Sequence, residues 1–177
     1  MSAINFGQSV SLKEFAHGIS TVGQEVTIIG QGEPGIGKSA MLKFIQAQNP
    51  DMATAYIDCT LLDLGDFALP YTEEVLTGDN KMKITKFAPN ARFKMHNSEP
   101  VIIMLDEIGK ASKAVMNACL RLMLERKLGT YSLPEGSIVF ATTNLANEAI
   151  GDNLPPHARN RISVVKVRKP SADEWIE

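Results

Sequence analysis

Five short apolar runs punctuate the chain, and each is bounded by glycine, proline or polar residues: EVTIIG (25–30), TAYIDC (54–59), VIIML (101–105), SIVFAT (137–142) and ISVVKV (162–167). They are rich in β-branched residues and too short for buried helices, so they read as strands. Each is too uniformly apolar to leave one face in water, which predicts a central parallel sheet covered on both sides. Between them the apolar period changes to that of a helix. From Lys38 onward Met41, Leu42 and Ile45 recur at helical spacing until Asn49, Pro50 and Asp51 break the pattern. A second helix is predicted in SKAVMNACLRLMLERKLG, with Val115, Cys119, Leu122 and Leu128 on its apolar stripe and Gly129 as its stop. Strands alternating with helices give an α/β sandwich with right-handed crossovers. No internal repeat or low-complexity tract interrupts it.

Composition narrows the picture without changing it. A chain of 177 residues, 44% hydrophobic and 21% charged, is expected to form one globular domain spanning 1–177, with residues 1–22 as a lead-in. A formal net charge of −2 gives no global attraction to nucleic acid or anionic membranes. Cys59 and Cys119 are widely separated and lack metal-ligand spacing, so they read as reduced core thiols, which favours a cytoplasmic setting. The N-terminal residues lack a basic segment followed by an apolar one, and no window approaches the roughly 18 apolar residues of a membrane span. His17, His96 and His157 are isolated in sequence and receive no catalytic role.

The first candidate chemistry sits between the first strand and the first helix. GEPGIGKS, residues 32–39, fits G-x-x-x-x-G-K-[ST] in full and lies in the strand-to-helix context the pattern requires. Gly32, Gly35 and Gly37, with Glu33, Pro34 and Ile36 between them and Ala40 beyond, form a loop whose backbone N–H groups can turn inward around a phosphate. The following helix directs its positive end at the same anion. Lys38 can reach the outer phosphates, and the Ser39 hydroxyl is placed to ligate Mg²⁺.

The third strand ends in LDEIGK. Alone, an Asp-Glu pair after a strand is commonly a solvated helix start. Beside a phosphate loop, two carboxylates at the C-terminal end of a parallel strand lie where open α/β sheets hold their ligands. Asp106 can orient Mg²⁺ through its water shell, and Glu107 can polarise the water that attacks a γ-phosphate.

GEPGIGKS, VIIMLDEIGKAS, ATTN and LPPHARNRI occur in the order and spacing of the AAA+ ATPases, and ERKLGTYSLPEGSIVFATTN resembles the MoxR-like branch. The resemblance covers roughly residues 23–168. It implies a three-layer P-loop NTPase sandwich with a five-stranded parallel sheet in the order 5-1-4-3-2. It also implies ATP and Mg²⁺ as cofactors, and assembly into a ring, with a hexamer as one form. Asn144 corresponds to sensor 1, whose amide can bind the attacking water or γ-phosphate. Arg159 and Arg161 both match the region of the arginine finger that enters the neighbouring subunit's site, with Arg161 preferred. A guanidinium fork suits a transferring phosphoryl group because it can hold two oxygens at once. The family continues into a small helical lid with a sensor 2 arginine, so residues 170–177 are expected to begin a lid that is truncated or absent.

The least determined segment is LLDLGDFALPYTEEVLTGDNKMKITKFAPNARFKMHNSEP, residues 61–100. In the resembling rings, pore loops that contact substrate often follow the second strand, which makes Phe67 and Tyr71 candidates, with local packing beside the proline as the favoured alternative. Lys81, Lys83, Lys86, Arg92 and Lys94, interleaved with Phe87 and Phe93, could bind single-stranded nucleic acid, or form a solvated face or a subunit contact. The expectation is an Mg²⁺-dependent ATPase that remodels a macromolecular partner, with a protein favoured over nucleic acid and no membrane involvement. The rival readings are a nucleic-acid motor of the same fold and a nucleotide-gated interaction module with negligible turnover.

Overall fold

The computed structural model describes residues 9–78, 80–144, 158, 160–171 and 174, with all side chains in these ranges except those of Ser39 and Asn97. The elements in chain order are α1 (Leu12–Val22), β1 (Thr27–Gly32), α2 (Met41–Gln48), β2 (Ala53–Asp58), β3 (Ala68–Thr77), β4 (Asn80–Pro89), β5 (Val101–Asp106), α3 (Lys113–Glu125), β6 (Lys127–Leu128), β7 (Tyr131–Ser132), β8 (Ile138–Asn144) and β9 (Ile162–Lys166). β1, β2, β5, β8 and β9 form one sheet in the order β2-β5-β8-β1-β9. Every pairing in it is parallel. Counting its strands along the chain gives the order 5-1-4-3-2.

Strand alternation divides the core into two layers. On β5, Ile102 and Met104 face α1 and α2, where they pack with Ile28, Phe140, Phe15, Ile19, Met41 and Ile45. Val101, Ile103 and Leu105 face α3, packing with Val115, Cys119, Leu122 and Val139. Both faces of the central strands are buried, as the apolar runs predict. The edge strands depart from that expectation: Tyr56 on β2 is 48% exposed and Val164 on β9 is 37% exposed, because each strand has a sheet neighbour on one side only.

Three local readings are completed or corrected by the fold. Residues 12–22 of the lead-in form a helix, whose start is fixed by a capping box. The Ser11 hydroxyl accepts from the Glu14 N–H at 3.2 Å, and the Glu14 carboxylate accepts from the Ser11 N–H at 2.7 Å. Helix α3 ends at Glu125, four residues before Gly129, because Arg126 turns into the left-handed region at φ 54°. The Arg126 guanidinium then donates to the carbonyls of Ser137 and Gly23 at 3.2 and 3.0 Å, and burial lowers its pKa. Gly129, at φ 60°, belongs instead to the turn between β6 and β7, and Leu128 lies on β6.

The third correction concerns residues 61–100. β3 and β4 pair over ten residues each into an antiparallel hairpin. Leu69, Leu76 and Met82 on it are exposed. Its base leans on the small β6–β7 hairpin, where the Tyr71 and Tyr131 hydroxyls lie 3.3 Å apart. Phe67 does not grip a partner: it is buried and stacks on Phe93, with ring centroids 5.6 Å apart. Phe93 is fully buried as well, which removes it from any stacking surface. Carboxylates answer three of the five cations of the basic cluster: Lys86 lies 2.7 Å from Glu73 and Lys81 4.0 Å from Glu74 across the hairpin, and Arg92 lies 3.7 Å from Asp66 at its base. Cys59 and Cys119 are both free and buried, with sulfurs 3.8 Å apart.

Candidate active site

Three neighbouring strands, β5, β8 and β1, end at Asp106, Asn144 and Gly32. Gly32 pairs in register with Asn144, so the first glycine of the loop starts beside that amide. All the candidate chemistry except the arginines therefore emerges from the C-terminal edge of the sheet, where parallel α/β folds bind ligands.

The loop's sequence dictates its shape. Gly35 and Gly37 have φ of 78° and 92°, a region L side chains enter only under strain. Gly32 is required for a different reason: a Cβ there would lie 2.4 Å from Ile36 Cδ1 and 2.9 Å from the Val167 carbonyl oxygen. Lys38–Ala40 form a 3₁₀ turn that leads directly into α2. The Lys38 side chain is buried beneath the loop, where Nζ donates to the carbonyls of Gly32 and Glu33 at 3.0 Å each. It also donates to Asn144 Oδ1 at 2.7 Å.

Asn144 continues the chain. Its Nδ2 donates to both oxygens of Glu107 at 2.7 Å, and Lys110 Nζ approaches the same carboxylate at 3.0 Å. Glu107 is itself in the left-handed region, at φ 55°, at the point where the chain leaves β5. Asp106, 5% exposed, is held more completely. Its Oδ1 accepts from the Thr142 hydroxyl, and from the Glu107 N–H at 3.0 Å. Its Oδ2 accepts from the Tyr56 hydroxyl at 2.8 Å. Gly35, Gly37, Lys38, Asp106 and Glu107 together line a cleft of about 250 Å³.

A second, apolar cavity of about 210 Å³ adjoins the loop on its other side, between Leu12 at the start of α1, Ile36 and Gly37 of the loop, Phe44 of α2 and Pro170. Its outer wall is tied by Arg168, which holds Glu174 through two bonds of 2.8 and 2.7 Å. The Arg168 guanidinium and the Ser171 N–H lower the Glu174 carboxyl to about 2. A polar cleft with an apolar slot beside it suits a ligand with a phosphate tail and a flat base.

Mg²⁺ characteristically takes one or two protein oxygens and completes its shell with phosphate and water. The carboxylate of Asp106, fixed at the mouth of the loop, suits that demand. Among the described residues no cluster of three or more His, Cys, Asp or Glu side chains could cage a metal. Lys38, Asp106, Glu107 and Asn144 thus share one site. Arg161 stands apart from it. Its side chain is exposed, donates to the Leu124 carbonyl at 3.1 Å, and lines a different cleft with Lys113 and Arg121. Arg159 lies outside the described residues, as does the side chain of Ser39.

Sequence reasoning missed Tyr56, Thr142 and Lys110. Thr142 was within reach, because it lies two residues before Asn144 on one strand and so shares its face. Tyr56 had no local signal, since its meeting with Asp106 depends on the register of β2 against β5.

The fold and the loop define the class, a P-loop α/β domain with a parallel sheet in the order 5-1-4-3-2. Residues 28–168 match the family described as "ATPase family associated with various cellular activities (AAA)", and the chain belongs to that family. A search of curated proteins found no match. Among solved structures, the chain is similar to a Cytophaga hutchinsonii protein described as a putative ATPase, with a TM-score of 0.59 and 17% identity. The similarity covers 96% of this chain and 50% of that one, so this chain spans about half that protein's length. At this identity the likeness concerns the fold. Among the described residues no helix is long and apolar enough to cross a membrane.

Proposed function

We propose that this chain is the nucleotide-binding core of a MoxR-like AAA ATPase that hydrolyses ATP with Mg²⁺ and, assembled as a ring, remodels a protein partner. One observation carries the reading: Lys38, Asn144 and Glu107 form a continuous hydrogen-bonded chain in the cleft that also holds Asp106.

The reaction is the attack of water on the γ-phosphorus, with cleavage of the bond to the β-γ bridging oxygen. The loop amides and Lys38 hold the negative charge of the phosphates, and ADP departs carrying the electron pair of the broken bond. Glu107 accepts the proton of the attacking water, and the Asn144 amide orders the carboxylate that receives it. Ser39 and Asp106 would hold Mg²⁺, which would supply positive charge against the developing negative charge of the phosphates. The apolar cavity beside Leu12 and Phe44 would take the base. Arg161 or Arg159 of an adjacent subunit would meet the γ-phosphate.

A protein partner is favoured over nucleic acid because Lys81, Lys86 and Arg92 each have a carboxylate within 4.0 Å, and because burial of Phe93 leaves Phe87 as the exposed ring of the pair. A stacking groove for single strands needs free cations and exposed rings.

Phosphate release and nucleotide binding, measured in parallel on Lys38→Ala and Glu107→Gln, test the reading. Lys38→Ala should weaken ATP binding by about tenfold or more. Glu107→Gln should bind normally and turn over about 100-fold more slowly or less. Turnover of Glu107→Gln at the wild-type rate would sink the reading.

A further inference from the structure

Asp106 receives a hydrogen bond from the edge of the sheet, and the phosphate-loop chemistry does not by itself account for it. Tyr56 lies on β2, the edge strand next to β5, where its Cα pairs with that of Met104. Asp106 is two residues further along β5, on the same face as Met104. The phenol spans this offset to place its hydroxyl 2.8 Å from Asp106 Oδ2.

We propose that Tyr56 is a positioning residue for Mg²⁺-nucleotide binding, holding the Asp106 carboxylate in the orientation that the metal's water shell requires. The inference rests on the reading of Asp106 as the carboxylate on the metal side. Packing does not explain the tyrosine, because a ring left 48% exposed contributes little to the core and phenylalanine would contribute as much. The hydroxyl is the part aimed at the site.

The three donors reach Asp106 from different directions. Thr142 comes from β8, Tyr56 comes from β2, and the Glu107 N–H comes from the turn that follows β5. Together they fix both torsions of a short side chain. A carboxylate that acts through water must be placed to within a few tenths of an ångström, which a freely rotating side chain does not provide. The chemical type of the donor matters too. A lysine or arginine at position 56 would also orient Asp106, but its charge would oppose the dication the carboxylate is to attract. A neutral phenol orients the carboxylate and leaves its negative charge for the metal.

The test uses a fluorescent non-hydrolysable ATP analogue, titrated in Mg²⁺ and in EDTA, on the wild-type chain, Tyr56→Phe and Asp106→Asn. The readout is the ratio of the two dissociation constants, with thermal unfolding measured alongside. Tyr56→Phe should reduce the Mg²⁺-dependent gain in affinity by about three- to tenfold, the net scale of one ordinary hydrogen bond. Its affinity in EDTA and its melting temperature should stay at wild-type values. Asp106→Asn should remove most of the gain. If Tyr56→Phe keeps the full gain while Asp106→Asn loses it, the proposal is overturned and the reading of Asp106 stands. If both keep it, or if the wild type shows no gain, the metal reading of Asp106 fails and the proposal falls with it. Equal weakening of Tyr56→Phe in Mg²⁺ and EDTA would mark a purely structural role and also overturn it.

Discussion

Asn144 donates its Nδ2 to both carboxylate oxygens of Glu107 at 2.7 Å. The other end of the same amide accepts from Lys38 at 2.7 Å, and this sets which way the amide points: the oxygen must face the ammonium and the nitrogen the carboxylate. An asparagine suits this position because it is short, uncharged, and donor at one end and acceptor at the other.

Replacing Asn144 by Asp therefore separates binding from turnover. The new carboxylate keeps an acceptor for Lys38 but loses the donor to Glu107 and sets two like charges face to face. We expect nucleotide affinity to change by about threefold or less, and turnover to fall about 100-fold, the usual consequence of losing one preorganised donor in an active site. Equilibrium binding of labelled ATP together with single-turnover phosphate release checks this. Unchanged turnover would remove Asn144 from the mechanism.

The site was legible where its chemistry is contiguous in sequence. The loop at residues 32–39 encodes strand, turn and helix within eight residues, and its glycines stand where the backbone needs positive φ or close approach. Asp106 could be placed because it ends an apolar run beside a phosphate loop, whereas Asn144 was placed by the family resemblance. Tyr56 could not, since the register of β2 against β5, which sets Tyr56 beside Met104 and within reach of Asp106, has no mark in either strand. The β3–β4 hairpin was hidden for another reason. Much of both its faces is open to solvent, so alternation of apolar and polar positions is confined to Lys81–Thr85 on β4 and does not extend along β3, where Gly78 at the turn, with φ 62°, is the clearest local mark. The sequence left Phe67 open between local packing and a pore contact, and Phe93 open between a solvated face, a subunit contact and a stacking ring. Their burial is a property of the tertiary fold alone.

The two thiols supply a prediction from burial. The hydrogen bond with Cys119, together with desolvation, pushes the Cys59 thiol well above the usual range. A raised acid pKa means the reactive thiolate is suppressed at neutral and mildly alkaline pH. Native protein should therefore show no fast reaction with a thiol-specific chromogenic disulfide at pH 8, and both cysteines should react once guanidinium unfolds the chain. Fast labelling of Cys59 in the native state would show that the β2–α3 contact opens without global unfolding.

Arg161 invites a test of whether the active site is shared between subunits. In a single chain it lines a cleft with Lys113 and Arg121, whereas Lys38 and Glu107 line another. An arginine that serves catalysis from there must do so at a neighbour's site. A subunit carrying Arg161→Ala retains its own phosphate loop and Glu107, and a Glu107→Gln subunit has a dead site but an intact arginine. Each lacks what the other supplies. Either variant alone should be nearly inactive, and mixing them should restore part of the ATPase activity at interfaces where the Glu107→Gln subunit presents its arginine to an Arg161→Ala neighbour. An arginine acting within its own chain could not be rescued in this way. The mixture has to be assayed where light scattering demonstrates assembly, because unassembled chains would show no rescue whatever the arginine does. If assembled mixtures are no more active than the two variants added together, Arg161 is not a finger in trans. Repeating the mixture with Arg159→Ala then distinguishes the wrong arginine from the wrong mechanism: rescue moves the role to Arg159, and a second failure leaves the site without a contribution from either arginine of a neighbouring subunit.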